Sequence, residues 1–256
     1  LNLLQPTNLK DETFLETLTA LNANLQIVVA FRMLPKVVWS MPALGTFNLH
    51  ASLLPNYRGA APINWAIING ETTTGVTTFF IDDKIDTGAM ILNSSLDISA
   101  NESAGHLHDR LMNLGSETVI KTLALIEENK VHLTIQTENE DCKTAYKLNK
   151  ENCKIDWSKS ATTIHNLIRG LSPYPASWCF FSDKNEEWNV KIYDANLLLE
   201  SHNLDAGTIV CTKKELKIAV KDGYIQILSL QFPGKKRMLT AELLNGINFT
   251  AEAKAY

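Results

Sequence analysis

The sequence is poor in cysteine and has no paired ones. Cys142, Cys153, Cys179 and Cys211 lie far apart with no C-x-x-C pair among them. That spacing argues against a disulfide framework or a zinc site and suits reduced thiols, hence the cytoplasm. Long apolar runs are also missing: none approaches the length of a membrane span, and the opening stretch does not read as a signal peptide. Neither sign of charge dominates. With 24 basic and 28 acidic side chains the formal net charge is −4, too near neutral to announce a polyanion partner or to exclude one. There are no internal repeats and no low-complexity segments, and the methionines are scattered. His106 and His108, two positions apart, fall on different faces of a helix and make a poor metal pair.

What is present suits a globular protein with one large core or two smaller ones: 256 residues, 45% of them hydrophobic. Charge is uneven along the chain. Residues 1–150 hold 11 basic and 16 acidic side chains, whereas residues 151–256 hold 13 and 12. Nucleic-acid affinity, if any, is therefore expected late in the sequence.

From Asp11 onward, Phe14, Leu15, Leu18 and Leu21 recur at helical spacing. Leu25 to Phe31 is apolar and β-branched, as expected of a strand covered on both faces of a parallel sheet. A short strand follows at Thr46 to Leu49. Pro62 suits the first turn of a helix reaching Asn69, with Gly70 as its stop. Thr74 to Ile81 reads as a strand, with Met90 to Ile98 its hairpin partner. Ser99-Ala100-Asn101-Glu102 has capping-box spacing before a long helix carrying Leu107, Leu111 and Leu114 on one face. Alternating helices and buried strands indicate an α/β domain.

After about Asn139 the texture changes. A helix bearing Ile164, Leu167, Ile168 and Leu171 stops at Ser172-Pro173-Tyr174-Pro175. Five short β-like runs follow: Trp178–Phe181, Val190–Ala195, Thr208–Thr212, Leu216–Val220 and Tyr224–Gln231. Asp222-Gly223 reads as the hairpin turn between the last two. Short strands with close turns predict a small β-barrel of OB type.

The chemistry concentrates at residues 48 to 59. Asn48, His50 and Ser52 put an amide, an imidazole and a hydroxyl where a strand ends, and in an open α/β sheet that end faces the ligand crevice. The acidic loop Ile81-Asp82-Asp83-Lys84-Ile85-Asp86-Thr87-Gly88 can return a carboxylate to the same crevice, making Asn48, His50 and Asp86 a candidate triad. Each also has a plain structural reading: strand-end polar groups hydrogen-bond loops, and Asp before Thr-Gly is common turn chemistry. Ser52 suits a backbone hydrogen bond, Leu53-Leu54-Pro55 a core and turn, and Arg58 a solvated surface. Lys213, Lys214, Lys217 and Lys221 surround a predicted hairpin, and Lys235, Lys236 and Arg237 form the densest basic cluster in the chain.

Phe47-Asn48-Leu49-His50-Ala51-Ser52-Leu53-Leu54-Pro55 with Arg58-Gly59-Ala60-Ala61-Pro62, then Gly75-Val76-Thr77 and Asp86-Thr87-Gly88, resembles the folate-dependent formyltransferases, most closely members acting on methionyl-tRNA. Ala30-Phe31-Arg32-Met33-Leu34-Pro35 resembles the family's folate-side loop. Lys154-Ile155-Asp156-Trp157 resembles its interdomain segment, and Gln231-Phe232-Pro233-Gly234-Lys235-Lys236-Arg237-Met238 the end of its barrel. N-x-H alone is weak; N-x-H-x-S-L-L-P with R-G-A-A-P and a downstream D-T-G is specific.

The resemblance implies a doubly wound, mostly parallel α/β catalytic domain over residues 1–138, a connector over 139–172 and a tRNA-binding barrel over 173–256. It implies transfer of a formyl group from 10-formyltetrahydrofolate, as co-substrate and without a metal, to the methionine amine of initiator Met-tRNA for translation initiation. It assigns catalysis to Asn48, His50 and Asp86. Substrate binding falls to Phe31, Arg32, Met33, Leu34, Ser52, Leu53, Leu54, Pro55, Arg58, Gly59, Asp82 and Asp83, and tRNA binding to Lys213, Lys214, Lys235, Lys236 and Arg237. Two other readings stay open: a different formyltetrahydrofolate user, such as a hydrolase or a sugar-amine formyltransferase, and a folate- or RNA-binding piece without activity. The family pattern also places a first strand, a Gly-Thr-Pro-like turn and an acceptor-end loop before the point where this sequence starts. The chain is therefore expected to be a fragment with an exposed sheet edge and little activity of its own.

Overall fold

The structure, a computed structural model, describes residues 2–30, 33–137 and 139–256. The chain divides into two compact units. One comprises Leu1–Pro62, Thr73–Leu96 and Arg110–Ala145, the other Ile63–Thr72, Asp97–Asp109 and Tyr146–Tyr256. The first half runs α1 (Glu12–Ala20), β1 (Gln26–Val29), α2 (Lys36–Trp39), β2 (Thr46–His50), β3 (Arg58–Gly59), α3 (Pro62–Ile68), β4 (Thr73–Phe80), β5 (Met90–Asp97), α4 (Ala104–Glu127) and β6 (Thr144–Ala145).

In the first unit a four-stranded sheet has the order β1-β2-β4-β5. β1 and β2 are parallel, pairing Val28 with Asn48, and β4 runs antiparallel to β2, pairing Asn48 with Phe79 and His50 with Thr77. The strand that carries the polar residues is thus held from both sides. Phe47, Val76 and Phe79 are buried in its core, joined by Leu111 of α4. Gly115 lets α4 approach closely, since a Cβ there would lie 2.8 Å from Leu49 Cδ2. Two hydroxyl pairs complete the contact: Thr122 Oγ1 and Thr78 Oγ1 lie 2.8 Å apart, and Thr118 Oγ1 donates to Ser94 Oγ at 2.9 Å.

Three local expectations are corrected. The run at β1 forms a parallel strand but is not covered on both faces: it is the edge of the described sheet, and Ile27 and Val29 are 43% and 58% exposed. The apolar stripe of α1 is only half-buried at Phe14, Leu15 and Leu18 and exposed at Leu21, although Asp11 caps the helix by accepting from the Phe14 N–H at 2.9 Å. The long helix α4 starts later than the capping-box spacing suggests. Glu102 does bind the Ser99 N–H at 3.0 Å, but those residues close a turn of their own, with the Glu102 N–H on the Ser99 carbonyl. Ser103 Oγ then accepts from the His106 N–H at 3.4 Å in the first turn of α4.

The second unit contains α5 (Ala161–Leu171), β7 (Ser177–Asp183), β8 (Glu186–Leu198), β9 (Ile209–Cys211), β10 (Leu216–Val220), β11 (Gly223–Gln231), β12 (Met238–Leu239), α6 (Thr240–Leu243) and β13 (Lys254–Ala255). Its sheet has the order β13-β7-β8-β11-β10-β9, with β12 on β11 and every neighbouring pair antiparallel. An antiparallel bridge from Thr208 to Lys254 and the Ala255 N–H on the Gly207 carbonyl at 2.8 Å bring the two ends together, so the sheet nearly closes into a barrel. β7 buries alternate residues, as a one-sided strand must, and sends Cys179 and Phe181 into a core with Ile192, Leu216, Ile218, Ile225 and Leu230. Ile164, Ile168 and Leu171 of α5 are buried as the helical spacing predicts.

The last hairpin turns one residue earlier than Asp222-Gly223. Val220 pairs with Gly223, leaving Lys221 and Asp222 in the turn. Gly223 is required by crowding instead: with φ +157°, a Cβ there would lie 2.0 Å from the Leu198 carbonyl oxygen. All four cysteines are free, and burial raises the thiol pKa of Cys153, Cys179 and Cys211, which leaves these poor nucleophiles. No described helix is long and apolar enough to cross a membrane.

Candidate active site

Asn48 and His50 sit two residues apart on β2, so strand alternation points both side chains to one face. Both are buried, at 4% and 7% exposure, and Asp86 is buried at 9%. The loop after β2 folds back on itself. Ser52 Oγ donates to the Asn56 carbonyl at 2.7 Å, while Thr77 Oγ1 donates to the Ser52 carbonyl at 2.7 Å and accepts from the Leu54 N–H at 3.2 Å. This fold-back carries the Tyr57 carbonyl to His50 Nε2, 2.8 Å away.

That contact fixes the imidazole. A carbonyl only accepts, so Nε2 carries the proton and Nδ1 is the basic nitrogen of the neutral ring. Nδ1 lies 3.8 Å from Asp86 Oδ2. With the ring neutral two acceptors face each other; a proton placed on Nδ1 turns the contact into an ion pair. Nδ1 is therefore the ring nitrogen left open for proton exchange.

Asp86 is placed by its backbone as well as its partners. It adopts φ +54°, a left-handed conformation uncommon for residues with a Cβ, and Oδ2 accepts from the Gly59 N–H at 3.0 Å. Gly59 in turn sits at φ +122° on β3, which pairs in parallel with β6; a Cβ there would come within 2.4 Å of the Ala145 carbonyl oxygen. Gly59→Ala is accordingly expected to destabilise the chain by roughly 2 kcal/mol or more, read by denaturant unfolding.

Asn48 Oδ1 is buried without a hydrogen-bond partner among the described residues. Buried amide oxygens are nearly always paired in a folded protein, so one left open on the strand face that carries His50 suits a polar ligand atom.

The remaining predicted site residues fall into three groups. Phe31 and Arg32 lie outside the described residues. Met33 is exposed, Leu34 and Leu53 are half-buried, Leu54 is buried, and a cis peptide joins Leu54 to Pro55. Several polar members have protein partners. Ser52 closes its own loop; Asp82 accepts from Thr87 Oγ1 at 2.8 Å and the Lys84 N–H at 2.9 Å; Asp83 meets Lys36 at 3.2 Å on the surface. Arg58 donates from Nε and Nη2 to Gln136 Oε1 at 3.0 and 2.8 Å. Tyr57 and Gln136 escaped the sequence reading. Tyr57 acts through a main-chain carbonyl, which any residue carries, and Gln136 lies in a loop with no periodic pattern. Among the described residues no three His, Cys, Asp or Glu side chains are grouped to hold a metal.

The site thus sets an amide and a tautomer-fixed imidazole on one face of β2, with a buried carboxylate from the loop after β4 facing the imidazole. The chain belongs to the formyl transferase family. The family's Formyl transferase domain matches residues 1–123 and its Formyl transferase C-terminal domain matches residues 147–248. Over all 256 residues the chain is 75% identical to a methionyl-tRNA formyltransferase of Flavobacterium johnsoniae, spanning 81% of that protein. It is 51% identical to the methionyl-tRNA formyltransferase of Bacteroides fragilis, covering 99% of this chain and 80% of that one. Among solved structures, HypX from Aquifex aeolicus in complex with tetrahydrofolic acid superposes with a TM-score of 0.68 at 19% identity. That match covers 94% of this chain and 44% of HypX, and shows the fold alone. An N-formyltransferase from Helicobacter canadensis, bound to folinic acid and dTDP-3-aminofucose, gives a TM-score of 0.57 at 25% identity, covering 75% of this chain and 66% of that one.

Proposed function

We propose that this chain transfers the formyl group of 10-formyltetrahydrofolate to the α-amino group of methionine on initiator Met-tRNA, for translation initiation. The observation that carries the reading is the buried, open oxygen of Asn48 on the strand face of His50, whose ring faces Asp86, in a chain 75% identical throughout to a methionyl-tRNA formyltransferase.

In the transfer a new C–N bond forms between the methionine amine and the formyl carbon, and the bond from that carbon to the folate nitrogen breaks. Negative charge develops on the formyl oxygen as the amine adds, and one proton must move from the amine to the departing nitrogen. Asn48 supplies an uncharged amide beside the reacting carbon: its N–H stabilises the developing charge and its oxygen accepts from the amine. His50 takes the proton at Nδ1 and returns it to the leaving nitrogen. Asp86 steadies the protonated ring. Because the nucleophile is the substrate's own amine, no covalent enzyme intermediate is needed.

In this reading residues 1–138 bind folate and perform the chemistry, with Phe31 to Leu34 and Leu53 to Pro55 offering the apolar contacts. The barrel over 173–256 binds tRNA. Lys213 and Lys214 lie exposed between β9 and β10, and Lys235, Lys236 and Arg237 lie exposed between β11 and β12. The Arg237 guanidinium stacks 4.7 Å over the Tyr193 ring, its Nε bonds Ser229 Oγ at 2.8 Å, and it lines a cleft of about 890 Å³ within the second unit. Replacing Lys235, Lys236 and Arg237 together by alanine should raise KM for tRNA about tenfold or more at moderate salt and flatten its salt dependence, since fewer phosphate counterions are released. Unchanged salt dependence would remove these residues from the tRNA surface.

The deciding assay supplies charged initiator Met-tRNA and 10-formyltetrahydrofolate and measures formylmethionyl-tRNA. Product formation that stops without tRNA supports the proposal. Formate release in the absence of any amine acceptor would point to a hydrolase instead.

A further inference from the structure

We propose that Gln136 is a positioning residue of the transfer site, a latch that holds the Asp86 carboxylate in place through Arg58. The inference rests on the reading of Asp86 as a participant in catalysis. Gln136 lies between α4 and β6 and belongs to the same unit as the triad. Its Nε2 donates to two carbonyls, Asp86 at 3.0 Å and Gly88 at 2.8 Å, while its Oε1 accepts two bonds from the Arg58 guanidinium. Both amide hydrogens and both oxygen lone pairs are used. The orientation of the amide is therefore dictated: only nitrogen can face two carbonyls, and only oxygen can face a guanidinium.

These bonds close a ring. Arg58 leads by its main chain into Gly59, whose N–H holds Asp86 Oδ2; the Asp86 carbonyl returns to Gln136, and Gln136 returns to the Arg58 side chain. Asp86 needs such support for two reasons. Its φ of +54° is one that residues with a Cβ rarely hold unaided. Its distance of 3.8 Å from His50 Nδ1 lies beyond ordinary hydrogen-bond length, so no direct bond fixes the carboxylate against the ring. Gln136 grips the main chain on either side of Thr87, and Gly88 itself is confined, since a Cβ there would lie 1.6 Å from the Phe80 carbonyl oxygen. Loss of the amide donors frees the loop to move the carboxylate away from the imidazole. Arg58 is then principally a strut of the site and not a group reserved for a substrate anion.

Two substitutions separate the two halves of the latch. Gln136→Glu keeps an acceptor for Arg58, and so the surrounding fold, but replaces the donors with an oxygen facing two carbonyls. Gln136→Leu removes both halves. In each variant kcat for formyl transfer is expected to fall about tenfold or more with KM for folate and tRNA within twofold, the signature of lost positioning. The ring ¹⁵N and ¹H signals of His50 should shift as well, while those of His165 and His202 in the other unit stay put. The NMR readout needs no turnover, so it tests the latch apart from the proposed substrates. Unmoved His50 signals, or kcat within twofold of the parent in Gln136→Glu, or a loss confined to KM, would overturn the proposal; if Gln136→Leu fails to fold, Gln136→Glu decides alone.

Discussion

Replacing His50 with alanine is expected to lower kcat by about 10²- to 10⁴-fold, the usual contribution of a positioned proton carrier. The loss should fall on kcat and spare KM for folate, because among the described residues the ring's direct hydrogen bond is to the Tyr57 carbonyl. Alanine also removes the ring's hydrogen bond to that carbonyl, which costs about 1 kcal/mol of stability. His50→Gln separates the effects: glutamine can place an N–H near the former Nε2 position, yet it cannot carry a proton at Nδ1. Near-normal melting with kcat as low as in His50→Ala would assign the loss to proton transfer. Recovery of kcat in His50→Gln would reduce His50 to an oxyanion donor and structural anchor.

The second large effect belongs to Asn48. Removing one donor from an oxyanion site typically costs about 3 to 4 kcal/mol in activation free energy, or roughly 10² to 10³ in kcat. Asn48→Ala is expected to show that loss with little change in stability, because its amide oxygen has no described protein partner to lose. Asn48→Asp should be worse than alanine, since a carboxylate at 4% exposure would face the negative charge that develops on the formyl oxygen. Asn48→Ala with kcat within threefold of the parent would remove the residue from catalysis.

The central part of this site was legible because it follows strand alternation. Asn48 and His50 share a face by the period of two, and the D-T-G turn marked Asp86 as a polar residue returning from the neighbouring strand. The barrel was legible in part for a similar reason, since its strands alternate and its turns are strongly punctuated. Its sheet has seven strands, however, where five short runs were legible, and β8 (Glu186–Leu198) extends well beyond Val190–Ala195. Cooperative features were not. The Tyr57 carbonyl that fixes the His50 tautomer belongs to the main chain and has no sequence signature. Gln136 acts across 50 residues of sequence on Asp86, in a loop whose composition is unremarkable. Gly223 reads in the sequence as a turn residue although close backbone approach explains it, two demands for glycine that look alike in a sequence. The exposure of Ile27 and Val29 was hidden for a related reason: an apolar, β-branched run declares a strand but not what covers it.

The most direct test is the structure of this chain bound to 5-formyltetrahydrofolate, whose formyl group is not transferred, together with Met-tRNA. The formyl oxygen is expected within about 3 Å of the Asn48 amide, with the methionine amine in reach of His50 Nδ1 directly or through one water. A formyl carbon seated away from both side chains, with Asp86 turned from His50, would contradict the proposed site.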